Sequence, residues 1–294
     1  MLSRVARIAI IGGGSIGEAL LSGLLKGGRQ AKDLAVAEKD PARAKHLSEQ
    51  YSVLLTTVAD AAENASYVIV AVKPADVEPI VLEIADAFAK AHDGSTEQVI
   101  VSVAAGVSTA YYESRLPAGS PVIRVMPNTP MLVGVGMSAI SRGNFATPEQ
   151  MKDVASIFGV VGEVQVVPES QIDAVTAVSG SGPAYFFLMA EALVDAAVAA
   201  GLPRHVATEL VAQTMAGSAA MLLDRLERRG AGGEPATGPA LDTSPAQLRA
   251  MVTSPGGTTA AGLRELERGG LRAAVGEAVE AAKTRSEQLG ITSE

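Results

Sequence analysis

The sequence has no cysteine and no tryptophan, and aromatic residues make up only 3% of its 294 residues. The absence of cysteine excludes disulfides, thiolate chemistry and cysteine-ligated zinc. The three histidines, His46, His92 and His205, are scattered along the chain, which argues against a histidine metal site or a Ser/His/Asp triad. We therefore predict no metal site. With so few rings, the core must be built from Ala, Val, Leu and Ile, which favours tight helix packing over a β-sandwich.

Basic residues are also in short supply. The chain has 24 Lys and Arg against 32 Asp and Glu, a formal net charge of -8. Because binding to a phosphate backbone needs a basic surface, we expect no nucleic-acid partner.

The N-terminus has a short apolar run that leads into a glycine loop and has no small-residue cleavage site. This run predicts a first strand rather than a signal peptide, so we expect a cytoplasmic protein.

The longest apolar run, at residues 183–202, approaches the length of a membrane span. Glu191 and Asp195, four residues apart, place two carboxylates on one helix face, and Gly201 with Pro203 ends the helix. The run therefore predicts a helix buried in a bundle or in a subunit interface, with no membrane partner.

The first half of the chain alternates short β-rich runs with helical patterns, which predicts an α/β fold with a parallel sheet and crossover helices. The candidate strands are residues 7–11, 34–37, 67–72, 98–103 and 122–126. After about Pro168 the strand signals stop, and Ala/Leu-rich segments follow at 171–200, 203–228, 245–251 and 258–289. We predict a sheet domain over 1–168 and an all-helical domain over 169–294. The Gly/Pro-rich segment 228–245 predicts a loop in the helical domain, either a functional lid or a disordered insertion.

The stretch "RIAIIGGGSIGEALLSGLL" places a GxGxxG motif after a strand and before a helix. Gly12 permits the tight turn, Gly14 lets the backbone approach a pyrophosphate, and Gly17 lets helix pack on strand. A merely structural glycine turn is the alternative, but the flanking strand, helix and later parallel units favour a Rossmann-type dinucleotide site. The candidate contacts are Gly12, Gly13, Gly14, Ser15, Ile16 and Gly17.

Glu38, 26 residues after Gly12, follows the second candidate strand. An acid near this position accepts the ribose 2′-hydroxyl and would repel a 2′-phosphate, which favours NADH. Lys39 and Arg43 are close enough to offset that repulsion, so NADPH stays open. The alternative is that all three are solvated surface charges.

Three later turns at the predicted carboxyl edge of the sheet supply further cofactor candidates, because ligands of open α/β sheets lie at that edge. The candidates are Ala71, Val72, Lys73 and Pro74, then Ala104, Ala105 and Gly106, and finally Asn128. Lys73 is a catalytic base, a cofactor contact or a solvated turn lysine. Asn128 and Thr129 either bind the nicotinamide side or cap their turn.

Two small-residue segments stand out in the helical half. "AVSGSGPAYFF", residues 177–187, predicts a Ser/Gly turn with Pro183 at a helix start, either structural or open to a ligand, which makes Ser181 a candidate contact. "TSPGGTTAAGLREL", residues 253–266, combines free backbone N–H groups at a helix start with hydroxyls, which predicts a carboxylate site. Its candidates are Ser254, Gly256, Gly257, Thr258 and Thr259. The alternative is a hydroxylated N-cap, which would need one Ser or Thr and neither glycine.

Taken together, these motifs resemble those of the pyrroline-5-carboxylate reductase family. The resemblance runs through the glycine loop, "AVKP", "VSVAAGV", "RVMPNTP", "AVSGSGPAY" and "PAQLRAMVTSPGGTTAAGLRELE", in the family's order and over nearly the whole chain. The last of these motifs, around residues 254–259, is specific to the family.

The resemblance implies a Rossmann domain joined to a helical domain that dimerises by interlocking with its twin, often within a decamer. It implies reduction of the cyclic imine 1-pyrroline-5-carboxylate to L-proline with NADPH or NADH, the last step of proline biosynthesis. It further implies that the loop at 254–259 holds the substrate carboxylate and that the Thr259 hydroxyl hydrogen-bonds the ring nitrogen. The family often has Ser, Asn or Arg where this chain has Glu38, which puts the usual NADPH preference in question. Segment 228–245 is longer than typical.

The residue types agree with this chemistry. A protonated imine is already electrophilic, so its reduction needs a hydride donor and an orienting grip rather than a strong acid. A β-hydroxyacid dehydrogenase or other imine reductase predicts a catalytic Lys in the helical domain after the boundary turn, and "SGSGPAY" has none. A non-catalytic nucleotide-binding regulator would keep the glycine loop but has no reason to keep residues 254–259.

Overall fold

The computed structural model describes residues 7–90, 98–231 and 244–291. The strands are β1 (Ile8–Ile11), β2 (Leu34–Ala37), β3 (Leu54–Leu55), β4 (Tyr67–Val70), β5 (Val99–Ser102), β6 (Val122–Met126), β7 (Gly136–Arg142) and β8 (Gly162–Val166). The helices before residue 180 are α1 (Ser15–Lys26), α2 (Pro41–Tyr51), α3 (Val58–Asn64), α4 (Val77–Lys90), α5 (Thr109–Glu113), α6 (Pro148–Gly159) and α7 (Ile172–Val175). They are followed by α8 (Gly182–Ala199), α9 (Arg204–Ala231), α10 (Ser244–Met251), α11 (Thr258–Arg268) and α12 (Leu271–Ile291).

The described residues divide into two compact units. The first, the sheet unit, contains the residues up to Pro183 together with those from Val279 onward, and the second, the helical unit, is Ala184–Ala278. The predicted boundary at residue 168 stays a prediction of where one evolutionary domain ends and the next begins.

The sheet unit is built on eight strands in the order β3-β2-β1-β4-β5-β6-β7-β8, parallel except for the antiparallel pair β6–β7. Alternate residues of β1 face opposite layers: Ile8 and Ile10 belong to one apolar cluster and Ala9 and Ile11 to the other. All four are buried, as expected for a strand covered by helices on both faces. The α/β prediction with a Rossmann-type parallel sheet is confirmed.

The chain leaves β1 for β2 on one side and later returns to β4 on the other. This reversal of strand order opens a crevice beyond the carboxyl ends of β1 and β4, where ligands of such sheets bind. The glycine loop, which follows β1, therefore lies at the switch point of the sheet.

The five predicted strands are present as β1, β2, β4, β5 and β6. β2 and β6 have the predicted ends, and the ends of the other three are shifted by one or two residues. Three strands were missed. Strand β3 has only two residues, and β7 and β8 carry polar residues such as Arg142 and Glu163 that break the apolar run. These strands extend the sheet, and β7 adds the one antiparallel pairing.

The predicted helical segments are also present, with two corrections. Segment 258–289 is not one helix: α11 ends at Arg268 and α12 begins at Leu271, because Gly270 adopts a φ of 76° that a continuing helix does not allow. The predicted loop at 228–245 starts too early, since α9 continues to Ala231. Residues 232–243 lie outside the described residues.

Candidate active site

The glycine loop is shaped by backbone contacts at two of its three motif glycines. Gly12 has a φ of 102°, and a Cβ there would lie 2.5 Å from the Ala71 carbonyl oxygen. A Cβ on Gly17 would lie 2.0 Å from the Gly12 carbonyl oxygen. Packing therefore demands glycine at both positions.

Gly14 is different, because no atom of the described residues outside its chain neighbours lies within 4 Å of the place where its Cβ would be. It is the N-cap of α1, and no side chain in the described part of the chain caps that helix. The first N–H groups of α1 thus face open space at the carboxyl edge of the sheet, as a dinucleotide pyrophosphate requires. The residues present fit the dinucleotide that the sequence implies.

Glu38 lies directly after β2 and turns back to the glycine loop. One carboxylate oxygen accepts a 2.6 Å hydrogen bond from the Gly13 backbone N–H, and the other accepts a 2.9 Å bond from the Asp40 N–H. Asp40 in turn caps α2 by accepting from the Arg43 N–H at 2.8 Å. Glu38 is therefore held at the predicted ribose position and is not a freely solvated surface charge.

The two cations beside Glu38 have partners of their own. Lys39 Nζ donates to Asp76 at 2.8 Å, in the turn after β4. Arg43 Nε donates to the Gly13 carbonyl oxygen at 2.7 Å, and its Nη2 pairs with Glu18 in the first turn of α1. Sequence reasoning missed Glu18 and Asp76, whose role depends on helix and turn placement.

Glu18 collects three side chains. Tyr51 donates to it at 3.0 Å, His46 Nε2 lies 3.2 Å away, and Arg43 pairs with its second oxygen. Partial burial opposes ionisation, but the hydrogen bonds from Tyr51 and His46 and the charge of Arg43 lower the pKa of Glu18 below its ordinary value. Glu18 is thus an ionised anchor for Arg43 at neutral pH.

The turn after β4 lies beside the glycine loop because β4 pairs with β1, and the turn after β5 lies one strand further along the same edge of the sheet. Ala71 N–H donates to the Ile11 carbonyl oxygen at 2.7 Å, and Lys73 lies exposed in the next turn. After β5, the Ala104 N–H donates to Ser102 Oγ at 3.3 Å, and Gly106 has a φ of 76°. The structure therefore lines up the predicted cofactor contacts 12–17, 38, 71–74 and 104–106 along one sheet edge.

The Asn128 side chain forms hydrogen bonds with two other segments, β7 and the Ser/Gly segment. Its Oδ1 accepts from the Met137 N–H at 2.8 Å, and its Nδ2 donates to the Ser179 carbonyl oxygen at 3.1 Å. The side chain thereby ties the end of β6 to β7 and to the Ser/Gly segment. The predicted contact with nicotinamide stays a prediction, now for an amide whose orientation is set by these two bonds.

The Ser/Gly segment is not the turn that we predicted. Thr176–Gly180 forms one turn of π-helix between α7 and Ser181, and α8 follows directly from Gly182. Thr176 Oγ1 donates to the Ile172 carbonyl oxygen at 2.8 Å, four residues back in α7, and bonds of this type often bend a helix. Pro183 does lie at a helix start, as predicted. Single π-turns are frequent at functional sites, and Ser181, the substrate candidate, closes this one.

The second candidate loop, residues 253–257, lies in the helical unit between α10 and α11. Gly256 has a φ of 69°, and the Gly257 N–H donates to the Ser254 carbonyl oxygen at 3.0 Å to close the turn. Arg249 and Glu267 pair at 3.6 Å and join the two flanking helices. The loop is therefore a defined turn that projects Ser254 into solvent.

The N-terminus of α11 is left uncapped. Its N-cap is Gly257, and no side chain of the described residues caps the helix. The hydroxyls of Thr258 and Thr259 are exposed and make no hydrogen bond to the described part of the chain. The hydroxylated N-cap alternative is therefore wrong in this structure, because neither threonine hydroxyl caps the helix.

A partly buried ion pair lies beside Thr109, the first residue of α5. Glu169 accepts from the Thr109 N–H at 2.8 Å and from its hydroxyl, and it pairs with buried Arg124 at 3.3 Å. A cavity of about 500 Å³ lies next to this pair. Of the predicted site residues only Gly106 lines it, so this cavity is distinct from the candidate cofactor cleft at the glycine loop.

Two family models match the chain: "NADP oxidoreductase coenzyme F420-dependent" over residues 7–106 and "Pyrroline-5-carboxylate reductase dimerisation" over residues 169–289. A pyrroline-5-carboxylate reductase from Mycobacterium tuberculosis is 64% identical over 296 residues, with all of both chains covered. The chain belongs to the pyrroline-5-carboxylate reductase family. The resemblance inferred from the motifs is thereby confirmed.

Solved structures of the family share the fold. A pyrroline-5-carboxylate reductase from Coxiella burnetii superposes with a TM-score of 0.84 at 33% identity, covering 97% of this chain and 99% of that one. The Plasmodium falciparum pyrroline carboxylate reductase, described with NADP bound, gives 0.79 at 27% identity over 97% and 98%.

Proposed function

We propose that this chain reduces 1-pyrroline-5-carboxylate to L-proline, with NADPH or NADH as the hydride source. Reductases of that name in the same family support the proposal, the most informative at 64% identity over the whole chain. The structural observation that carries it is the start of α11, where no side chain of the described residues caps the helix and the Thr258 and Thr259 hydroxyls have no partner among those residues.

The loop binds the substrate carboxylate. Backbone N–H groups at the start of α11 and the positive end of the helix dipole favour an anion, and the Ser254 and Thr258 hydroxyls add donors. Gly256 at positive φ provides the turn that brings Ser254 to the same side. An exposed helix N-terminus built in this way needs no basic side chain to hold a carboxylate.

Thr259 orients the imine. Its hydroxyl, one residue further into α11, hydrogen-bonds the ring nitrogen and fixes the direction of the C=N bond. The reduced dinucleotide, when bound, supplies the hydride that adds to the imine carbon, while a proton on nitrogen completes the amine. Ser181 at the π-turn is a further substrate contact. Positioning of the imine against the dinucleotide accounts for the rate of reduction, because holding the two reactants in the correct geometry lowers the barrier by several kcal/mol.

The sheet unit binds the dinucleotide. The start of α1 and the backbone at Gly14 hold the pyrophosphate, Glu38 binds the adenosine ribose, and the turns 71–74 and 104–106 with Asn128 line the edge toward the nicotinamide. The open space at Gly14 and the positive φ values of Gly12 and Gly106 support these roles.

The helices after residue 169 form a homodimer and, in a larger assembly, a decamer. Phe186, Phe187 and Leu188 of α8 are 64%, 65% and 67% exposed, a run of apolar surface that a folded chain in water covers. The dimerisation model matches these residues. A second copy of the chain is therefore the proposed cover.

Two stretches, Glu169–Ala199 and Arg204–Glu227, are long and apolar enough to cross a membrane by length and composition, and 6% of an 18-residue apolar window in each is buried within the chain. We assign them to the subunit interface and the protein to the cytoplasm, with no membrane partner. Glu191 and Asp195 support this assignment, because carboxylates are costly in a lipid interior, and Asp195 pairs with Arg204 at 2.7 Å.

The test is direct. Purified protein is mixed with pyrroline-5-carboxylate and either NADH or NADPH, the absorbance of the reduced nicotinamide is followed, and L-proline is measured as product. We expect oxidation of the dinucleotide with one proline formed per dinucleotide. Absence of oxidation with both dinucleotides would overturn the proposal, and a linear hydroxy acid with oxidised dinucleotide serves as the control for dehydrogenase activity.

A further inference from the structure

The carboxylate of Glu38 is immobilised. Each of its oxygens accepts a backbone hydrogen bond, one from Gly13 at 2.6 Å and one from Asp40 at 2.9 Å. These donors belong to the glycine loop and to the entry of α2, so rotating the side chain away would leave two N–H groups without partners. An incoming ligand therefore meets the negative charge in place.

The same carboxylate keeps acceptor capacity for a ligand. An ionised carboxylate has roughly four lone-pair directions, and the two backbone donors use one on each oxygen. The remaining directions accept hydroxyl protons, as a ribose with free 2′- and 3′-hydroxyls provides. A 2′-phosphate brings about two negative charges and acceptor oxygens, so it meets repulsion without a donor.

The cations that could offset this repulsion are held by other acids. The guanidinium of Arg43 pairs with Glu18 through Nη2 and donates to the Gly13 carbonyl oxygen through Nε at 2.7 Å. Arg43 therefore faces the glycine loop and α1. Its side chain is only one-third exposed, so recruiting it to a phosphate would break contacts that are partly shielded from water.

Lys39 is held less tightly. Its ammonium donates to Asp76 at 2.8 Å, and this hydrogen bond raises the pKa of Lys39 above the ordinary value. Both side chains are well exposed, so the pair is weak and exchanges with water. The positive charge of Lys39 is nevertheless balanced by Asp76 and not by a ligand phosphate.

We infer that the adenosine-ribose site of this chain selects NADH over NADPH, that Glu38 is the selecting residue, and that Glu18 and Asp76 keep Arg43 and Lys39 from offsetting its charge. The inference rests on the proposed function, since it names which of the two dinucleotides that function uses.

The experiment measures dinucleotide binding apart from catalysis. The full-length protein is titrated with NADH and NADPH by nicotinamide fluorescence without substrate, and kcat/KM is measured with each in the imine assay. We expect NADH to bind more tightly by about tenfold or more, as charge repulsion at contact distance implies. Equal affinities, or a preference for NADPH, would overturn the inference.

Glu38→Ser isolates the selecting residue. The NADH to NADPH affinity ratio should fall about tenfold, through weaker NADH and stronger NADPH binding. Glu38→Gln, which keeps the shape and removes the charge, should shift the ratio in the same direction if the serine variant folds poorly. The matched control is Glu49→Ser, on α2 but paired only with exposed Lys45 at 3.7 Å, which should leave the ratio unchanged. A ratio unmoved by both Glu38 variants would refute the role of Glu38.

Glu18→Gln tests the role of the acidic partner. In the Glu38→Ser background it frees Arg43, so NADPH affinity should rise again by several-fold, and the gain should shrink at high salt. No gain in NADPH affinity would show that Glu18 does not restrain Arg43. Failure of the wild-type protein to bind either dinucleotide would refute the proposed function itself, an outcome distinct from binding both equally.

Discussion

The backbone N–H of Gly13 donates a 2.6 Å hydrogen bond to the carboxylate of Glu38. This bond joins the turn after β1 to the end of β2, so the shape of the glycine loop and the charge at the ribose position depend on each other. A Cβ on Gly13 would lie 2.2 Å from Cδ1 of the buried Leu47, so a side chain there would require Leu47 to move. The loop is thus shaped from both sides, by the sheet below and by α2.

Alanine substitutions at Gly14 and Gly17 should have different effects, the first on dinucleotide affinity and the second on folding stability. Gly14→Ala places its methyl in open space, so we expect an unchanged melting temperature and a loss of dinucleotide affinity of roughly tenfold or more, because the methyl occupies ligand space. Gly17→Ala places its methyl 2.0 Å from the Gly12 carbonyl oxygen and should lower the free energy of unfolding by about 1–3 kcal/mol. Thermal unfolding and NADH titration measure both. Tight NADH binding by Gly14→Ala would contradict the assignment of that space to the pyrophosphate.

Thr259→Val keeps the side-chain shape and removes the hydroxyl. Turnover should fall roughly ten- to a hundredfold, the value of one hydrogen bond to a reacting polar group, while NADH affinity stays the same. Steady-state kinetics and NADH titration give the two numbers. The control is Thr208→Val, where the hydroxyl donates to the Arg204 carbonyl oxygen within α9. Full activity of Thr259→Val would exclude a role for its hydroxyl in orienting the imine.

Phe187→Asp should break the subunit contact. Phe187 is 65% exposed on α8, and a charge at an apolar interface costs more than an interface of ordinary size tolerates. We expect the mass in solution, measured by light scattering at micromolar concentration, to fall toward that of a monomer. Leu54→Asp, at the edge strand β3 and 57% exposed, is the control and should keep the wild-type mass. A monomeric wild-type protein would refute the proposed dimer.

The stability supplied by Glu18 should depend on pH. Its pKa is lowered in the folded chain, so its contribution is fully present above the unfolded value near 4.5 and disappears as the pH falls through the folded value. At pH 7, Glu18→Gln should cost about 1 kcal/mol in urea unfolding. Below pH 4.5 the difference from wild type should shrink toward zero. A difference that grows on acidification would contradict the sign of this linkage.

The sequence anticipated those parts of the fold that local patterns encode. Continuous apolar runs predicted β1, β2, β4, β5 and β6, because strands covered on both faces show no polar alternation. The same rule missed β7 and β8, where polar residues such as Arg142 and Glu163 interrupt the run. The π-turn at Thr176–Gly180 was missed because Ser and Gly residues are equally compatible with an ordinary turn, and only packing decided between them.

The candidate site likewise has features that the local sequence predicted and features that only the tertiary structure showed. Glycines at fixed spacing predicted the dinucleotide loop, and the surplus of hydroxyls at residues 254–259 predicted a second ligand loop, because each depends on a short stretch of chain. Whether a hydroxyl of Thr258 or Thr259 caps α11 needed the coordinates, which show Gly257 as the N-cap with no side-chain cap from the described residues. Ligand binding by these hydroxyls stays a prediction.

The sequence by itself determined the family, the order of sheet and helical segments, and the two loops that we propose to bind the dinucleotide and the substrate, since all of these follow from contiguous motifs. Only the tertiary structure decided whether Lys39 and Arg43 are available to a phosphate. Their partners, Asp76 and Glu18, lie 37 and 25 residues away along the chain. The parallel sheet brings these residues together, and a pairing of that kind is decided by which strands lie side by side.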